Sequence, residues 1–142
     1  MLKIGVLGAG HLGKIHLRLL QQSEKYELVG FYDENLENGQ KIEKEFGYKQ
    51  FKTIATLIHA VDVIDIVTPT LHHFDGAQKV LNAGKHVFIE KPITHSYEEA
   101  QGIIALAEKH GVLGQVGHVE RFNPAFTAVK DLIDQPMFIE AH

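Results

Sequence analysis

Residues 2–13 read LKIGVLGAGHLG. Leu2–Leu7 is a short, largely apolar run that stops at a glycine, the pattern of a buried strand. Helical spacing follows at once: Leu12, Ile15, Leu19 and Leu20 fall on one face. Between them, Gly8, Gly10 and Gly13 stand at G-x-G-x-x-G spacing. That spacing is weak evidence alone, but between a strand and a helix each glycine has a task. Gly8 permits a tight turn, Gly10 leaves the backbone bare to an approaching phosphate, and Gly13 lets helix and strand pack closely. The helix start then offers free amides and a partial positive charge to an anion.

The second strand, Tyr26–Tyr32, delivers Asp33, 20 residues after Gly13. A carboxylate there can accept hydrogen bonds from an adenosine ribose and would repel a 2′-phosphate. The next residues are Glu34 and Asn35, with no Arg to receive such a phosphate. A dinucleotide cofactor follows, NAD in preference to NADP. Gly8, Gly10, His11, Leu12, Gly13 and Asp33 are its expected contacts.

Strands and helices keep alternating along the chain. A weaker helix runs from about 35 to 46 and stops at Gly47. A short third strand fits Lys49–Phe51, a helical turn Ile54–Val61 and a fourth strand Asp62–Val67. Phe74, Ala77, Val80 and Leu81 give the next helix its apolar face, and Gly84 ends it. His86–Glu90 is strand five. Ser96 and Glu99 have capping-box spacing, and Ala100, Ile103, Ile104 and Ala107 continue that helix to Gly111. Val112–Gly117 is strand six, a last helix fits Pro124–Ile133, and Met137–Ala141 begins another strand. The fold class is therefore α/β: a doubly wound Rossmann parallel sheet of six strands in the order 3-2-1-4-5-6. Residues 1–120 make the dinucleotide-binding domain, and 121–142 the connecting helix and strand.

Bulk properties exclude several function classes. The 142 residues are 44% apolar and 23% charged, with a net charge of −4. No basic surplus suggests nucleic acid, and no Lys/Arg block suggests a membrane surface. With no cysteine there is no disulfide or thiolate metal site, and a reducing compartment fits. No span reaches about 18 apolar residues, and the N-terminal apolar run is too short for a signal peptide. A soluble cytoplasmic domain is expected.

Strand five ends in Glu90, Lys91 and Pro92. The carboxyl edge of a doubly wound sheet borders the ligand crevice. A lysine there can hydrogen-bond a substrate hydroxyl and ease its deprotonation. Glu90 can orient Lys91 or bind a ribose. Pro92 biases Lys91 to extended backbone, and a cis Lys91–Pro92 bond would turn the chain sharply. A solvated charge pair remains the alternative. His118, Glu120, Arg121 and Asn123 follow strand six at the same edge. Arg121 can meet a carboxylate or phosphate bidentately or clamp the last helix. Asp65, alone inside DVIDIV, reads as a hydrogen-bonded structural carboxylate, and His16, on the apolar face of the first helix, as a packed, hydrogen-bonded core histidine. His72 and His73 face different directions on a helix, and no carboxylate cluster or thiol completes a metal site; none is expected.

The stretches GVLGAGHLGKIH, TPTLHH, AGKHVFIEKPI and GHVERFNPAF resemble the amino-terminal domain of the Gfo/Idh/MocA oxidoreductases over essentially the whole chain. VGHVERFNPAF is most similar to a bacterial branch, the 3-dehydrogenases acting on UDP-linked amino sugars or their uronic acids. The resemblance implies hydride transfer between a nicotinamide and a sugar carbon, with a free cyclitol or sugar, or cofactor binding without turnover, as alternatives. It makes Lys91 the catalytic lysine and sets Thr68, Pro69, Thr70, His72 and Glu90 along the cofactor. His118, Arg121 and Asn123 fall on the substrate side. It further implies an α+β substrate domain that these residues lack, an inactive isolated chain, and a homo-oligomer.

Overall fold

The computed structural model describes residues 1–132 and residue 140. Strand β1 (Leu2–Leu7) runs through the glycine turn into α1 (His11–Gln21), and β2 (Tyr26–Tyr32) follows. Helix α2 (Leu36–Phe46) begins where the Asn35 side chain accepts a bond from the Asn38 amide, 3.0 Å, and ends at Gly47, whose φ of 74° suits a residue without Cβ. Thr53 caps α3 (Ile54–Ala60) in the same way. Then come β3 (Val63–Ile66), a 3₁₀ turn at Thr70–His72 and α4 (His73–Asn82). The second half adds β4 (His86–Glu90), α5 (Tyr97–His110) and β5 (Gly114–Gly117). A 3₁₀ turn (Val119–Phe122), α6 (Pro124–Val129) and a further 3₁₀ turn (Lys130–Leu132) complete the described elements. Among the described residues no helix is long and apolar enough to cross a membrane.

All strands are parallel, in the order β2-β1-β3-β4-β5. This corrects the expected six strands to five. The expected third strand at Lys49–Phe51 is a single bridge, Phe31 to Gln50. Its two hydrogen bonds, Phe31 N–H to the Lys49 carbonyl (2.9 Å) and Phe51 N–H to the Phe31 carbonyl (2.7 Å), use up the pairing. The segment has only a few residues between Gly47 and the Thr53 cap, and it packs closely on β2 at Gly30 (φ 150°), where a Cβ would run into the Lys49 carbonyl. The bridge still occupies the outer flank of β2, the place foreseen for that strand. The helix expected to Ile133 is α from Pro124 to Val129 and 3₁₀ from Lys130 to Leu132; Ile133 lies outside the described residues. So does the strand expected at Met137–Ala141, apart from Glu140.

Side-chain alternation sorts the core onto two faces. Leu7, Ile64, Ile66, Val87 and Ile89 point toward α3, α4 and α5, where they meet Leu57, Ala77, Val80, Leu81 and Ile103. Val6, Phe31 and Val67 point the other way, toward Leu17 of α1 and Ile42 of α2. Fully burying one such side chain contributes about 1.5–3 kcal/mol. Asp65 is in register with Val6 on one side and Phe88 on the other, so it sits on the α1 face among apolar neighbours.

Candidate active site

The glycine turn opens on a cleft of about 1130 Å³ at the carboxyl ends of the strands. Gly8 has φ 96°, and a Cβ there would come within 2.9 Å of the Thr68 amide. A Cβ on Gly13 would collide with the Gly8 carbonyl oxygen. Gly10 differs: nothing lies within 4 Å of its Cβ position, so its bare backbone faces open space. No side chain caps α1, and its first turn holds no acid. The free amides and positive helix end thus remain available to a pyrophosphate.

Asp33 closes the far side of the cleft. Its Oδ2 accepts from the Ala9 amide (2.7 Å) and Asn38 Nδ2 (3.2 Å), and its Oδ1 from the Asn35 amide (2.9 Å). A carboxylate has about four lone-pair sites, so room remains for a ribose hydroxyl. Asn38 also donates to the Ala9 carbonyl at 3.2 Å, tying Asp33 to the glycine turn. Sequence reasoning missed Asn38; the signal available was an Asn at the start of a helix directly after the ribose-side acid. The donors present fit a dinucleotide: bare amides for phosphates and an oriented carboxylate for a ribose.

Among the other expected cofactor contacts, His11, Leu12, Thr68, Pro69 and His72 line this cleft with Gly8, Gly10 and Asp33. Gly13, Thr70, Glu90 and Lys91 do not line it. Lys91 faces a second hollow of about 280 Å³ together with His118 and Arg121. Val119, Glu120 and Phe126 complete that hollow. Asn123 is occupied locally: its Oδ1 caps α6 at the Ala125 amide (2.9 Å), and its Nδ2 donates to Glu120 (2.8 Å). The Lys91–Pro92 bond is cis.

The two adjacent histidines separate. His72 lines the cleft, while His73 is buried at 1% exposure. Its Nε2 lies 2.8 Å from the Thr68 carbonyl oxygen and its Nδ1 3.0 Å from that of Pro92. His73 therefore ties the loop after β3 to the segment after Lys91, a link the sequence reading did not anticipate. Among the described residues no group of three or more His, Cys, Asp or Glu is placed to hold a metal ion.

Behind the cleft, His16 and Asp65 are hydrogen-bonded, as expected of each, and to one another: Nδ1 to Oδ2 is 2.8 Å. The other ring nitrogen lies 3.4 Å from Glu90 Oε1. Glu90 is 6% exposed and does not line the cleft, and its Oε2 accepts the Lys91 amide at 3.0 Å. The Asp65 hydrogen bond raises the His16 pKa above its ordinary value against the opposing effect of burial, with the Asp65 and Glu90 charges assisting. Burial raises that of Asp65, although the His16 bond lowers it.

Residues 2–118 match the family model described as an oxidoreductase family with an NAD-binding Rossmann fold, Gfo/Idh/MocA. The chain is 34% identical to UDP-N-acetylglucosamine 3-dehydrogenase of Acidithiobacillus ferrooxidans, over 99% of this chain and 44% of that protein. The crystal structure of that relative superposes with a TM-score of 0.86 over 92% of this chain and 43% of the other. Glucose-6-phosphate 3-dehydrogenase of Bacillus subtilis is 35% identical over 94% of this chain and 38% of its own length. GenD2 from gentamicin A biosynthesis, solved in complex with NAD, has a TM-score of 0.85 at 26% identity, over 92% of this chain and 38% of that one. The chain thus spans less than half the length of these relatives. With the glycine turn, its acid and the parallel sheet in place, the chain belongs to the Gfo/Idh/MocA oxidoreductase family, with its NAD-binding Rossmann fold.

Proposed function

We propose that these residues form the cofactor-binding part of an enzyme that moves a hydride between nicotinamide C4 and a sugar carbon, the sugar being nucleotide-linked. One observation carries the reading: the cleft closed by Asp33 and the hollow faced by Lys91 both lie at the carboxyl ends of the strands, the first after β1, β2 and β3 and the second after β4 and β5. NAD supplies the hydride acceptor when bound. Asp33 holds its adenosine ribose and repels a 2′-phosphate, which favours NAD over NADP. The amides at Gly10 and the start of α1 take the pyrophosphate. Lys91 accepts the proton of the substrate hydroxyl as the carbon loses hydride, and returns it in the reverse direction. Arg121 and His118 face an anionic group of the substrate, and Asn123 holds the turn that carries them.

The choice of sugar rests on the similarity to the UDP-N-acetylglucosamine dehydrogenase. Residues 1–120 act as the dinucleotide-binding unit and 121–142 lead to an α+β substrate domain. The family match stops at residue 118, and every described residue from His118 to Leu132 is exposed. Residues 1–142 alone should therefore bind NAD without substantial turnover, and the whole enzyme should be a cytoplasmic homo-oligomer. Calorimetry with NAD and NADP tests the cofactor reading. Tighter binding of NAD is expected, and equal or tighter NADP binding would refute it. An assay of the 142 residues with NAD and UDP-N-acetylglucosamine tests the division of labour, which rapid NADH production would overturn.

A further inference from the structure

Three ionisable groups, His16, Asp65 and Glu90, do not line the cleft. Asp65 and Glu90 are 3% and 6% exposed, and both lie on the α1 face of the sheet. Burying carboxylates is costly unless they are paired, and apolar residues of similar size are commonly as stable in such positions. The opposite face at the same level uses Ile64, Ile66 and Ile89. Stability alone therefore gives no reason for two acids and a histidine here.

We propose that His16, Asp65 and Glu90 act together as positioning residues for Lys91: an imidazole held between two carboxylates, the second of which fixes the Lys91 amide. Asp65, on β3, fixes the ring of His16 through Nδ1 at 2.8 Å. The ring, on α1, presents Nε2 to Glu90 Oε1 at 3.4 Å. Glu90, the last residue of β4, accepts the Lys91 amide on its other oxygen at 3.0 Å. The contact falls where the chain leaves the sheet, so it sets the direction in which Lys91 departs. Gly117 on β5 makes room for it, since a Cβ there would come within 2.8 Å of Glu90 Oε1 and 3.1 Å of the Phe88 ring. Protonation of His16 strengthens both arms, and the raised pKa of that group agrees with a ring seated between two acids. Small misplacements of a reacting group cost large factors in rate, which gives such a brace its value.

The inference rests on Lys91 as the proton-transfer group, so its test reads the Lys91 backbone directly. Amide hydrogen exchange of the 142-residue chain is compared in the unmodified protein, His16→Gln, Glu90→Ala and Glu90→Gln. His16→Gln and Glu90→Ala should each speed exchange at Lys91 about tenfold relative to Val87 and Ile89 of the same strand. Glu90→Gln keeps an oxygen for the Lys91 amide and should restore most of the protection. Equal acceleration along the whole strand would make the trio an ordinary part of the core and overturn the proposal, as would an unchanged Lys91 amide. The exchange needs neither cofactor nor substrate. A failure of NAD binding by the unmodified chain would count against the cofactor reading alone.

Discussion

Asp33 carries a carboxylate that its neighbours aim. Replacing it with Ala should weaken NAD by about 10- to 100-fold, the usual worth of a hydrogen bond to a charged group, and narrow the gap to NADP. Asn38 holds that carboxylate at 3.2 Å and also donates to the Ala9 carbonyl. Asn38→Ala leaves the charge but loosens its aim, so NAD should weaken by about tenfold while NADP stays the poorer ligand. Calorimetry on both variants separates charge from aim. An unchanged affinity in Asn38→Ala would show that Asp33 is held well enough by the Ala9 and Asn35 amides. Asp33 was legible in the sequence because its partner, the glycine turn, announces itself at a regular distance. The His16–Asp65 bond was not, since it joins residues 49 positions apart and no local periodicity encodes it. The sequence reading found Asp65 out of place among apolar neighbours but had no means of naming its partner.

At the level of elements, α5 shows what a cap signal does and does not specify. Ser96 accepts the Glu99 amide at 3.3 Å, as the capping spacing implies. The Glu99 carboxylate lies 3.8 Å from His95 Nδ1 instead. Ser96→Ala should therefore cost about 0.5–2 kcal/mol, measured as a lower urea midpoint with an unchanged slope. Glu99→Gln should cost far less. The helices and the central strands were legible because each carries its own period and stop signals. The strand expected at Lys49–Phe51 is a single bridge at Gln50, because so short a segment between Gly47 and the Thr53 cap has room for only one pair of ladder bonds. α3 runs to a full Ile54–Ala60 helix because Thr53 caps it, a signal that the reading of a mere helical turn undervalued.

For the whole molecule, the His16–Asp65 pair ties stability to pH. His16 has its pKa raised from 6.5, so its contribution is complete below 6.5 and is lost as pH rises through the higher folded value. Burial raises Asp65 from 3.8, a loss of stability confined to the interval between 3.8 and its higher folded value, so the difference above neutrality rests on His16. The fold should thus be more stable at about pH 6 than at about pH 8.5, and His16→Gln should flatten that difference. Urea unfolding of the two proteins at both pH values decides the matter; parallel losses in each would assign the slope to other histidines.

The uncapped start of α1 has a consequence at the bench. With no acid in its first turn and Gly10 open to solvent, the cofactor-free protein should accept small oxyanions there. Phosphate or sulfate in the buffer should raise the melting temperature of the cofactor-free chain and, by the same occupancy, make NAD look weaker than it is. Affinities measured in phosphate and in a zwitterionic buffer should therefore disagree, and their difference reports how much of the grip on the dinucleotide resides at that single turn.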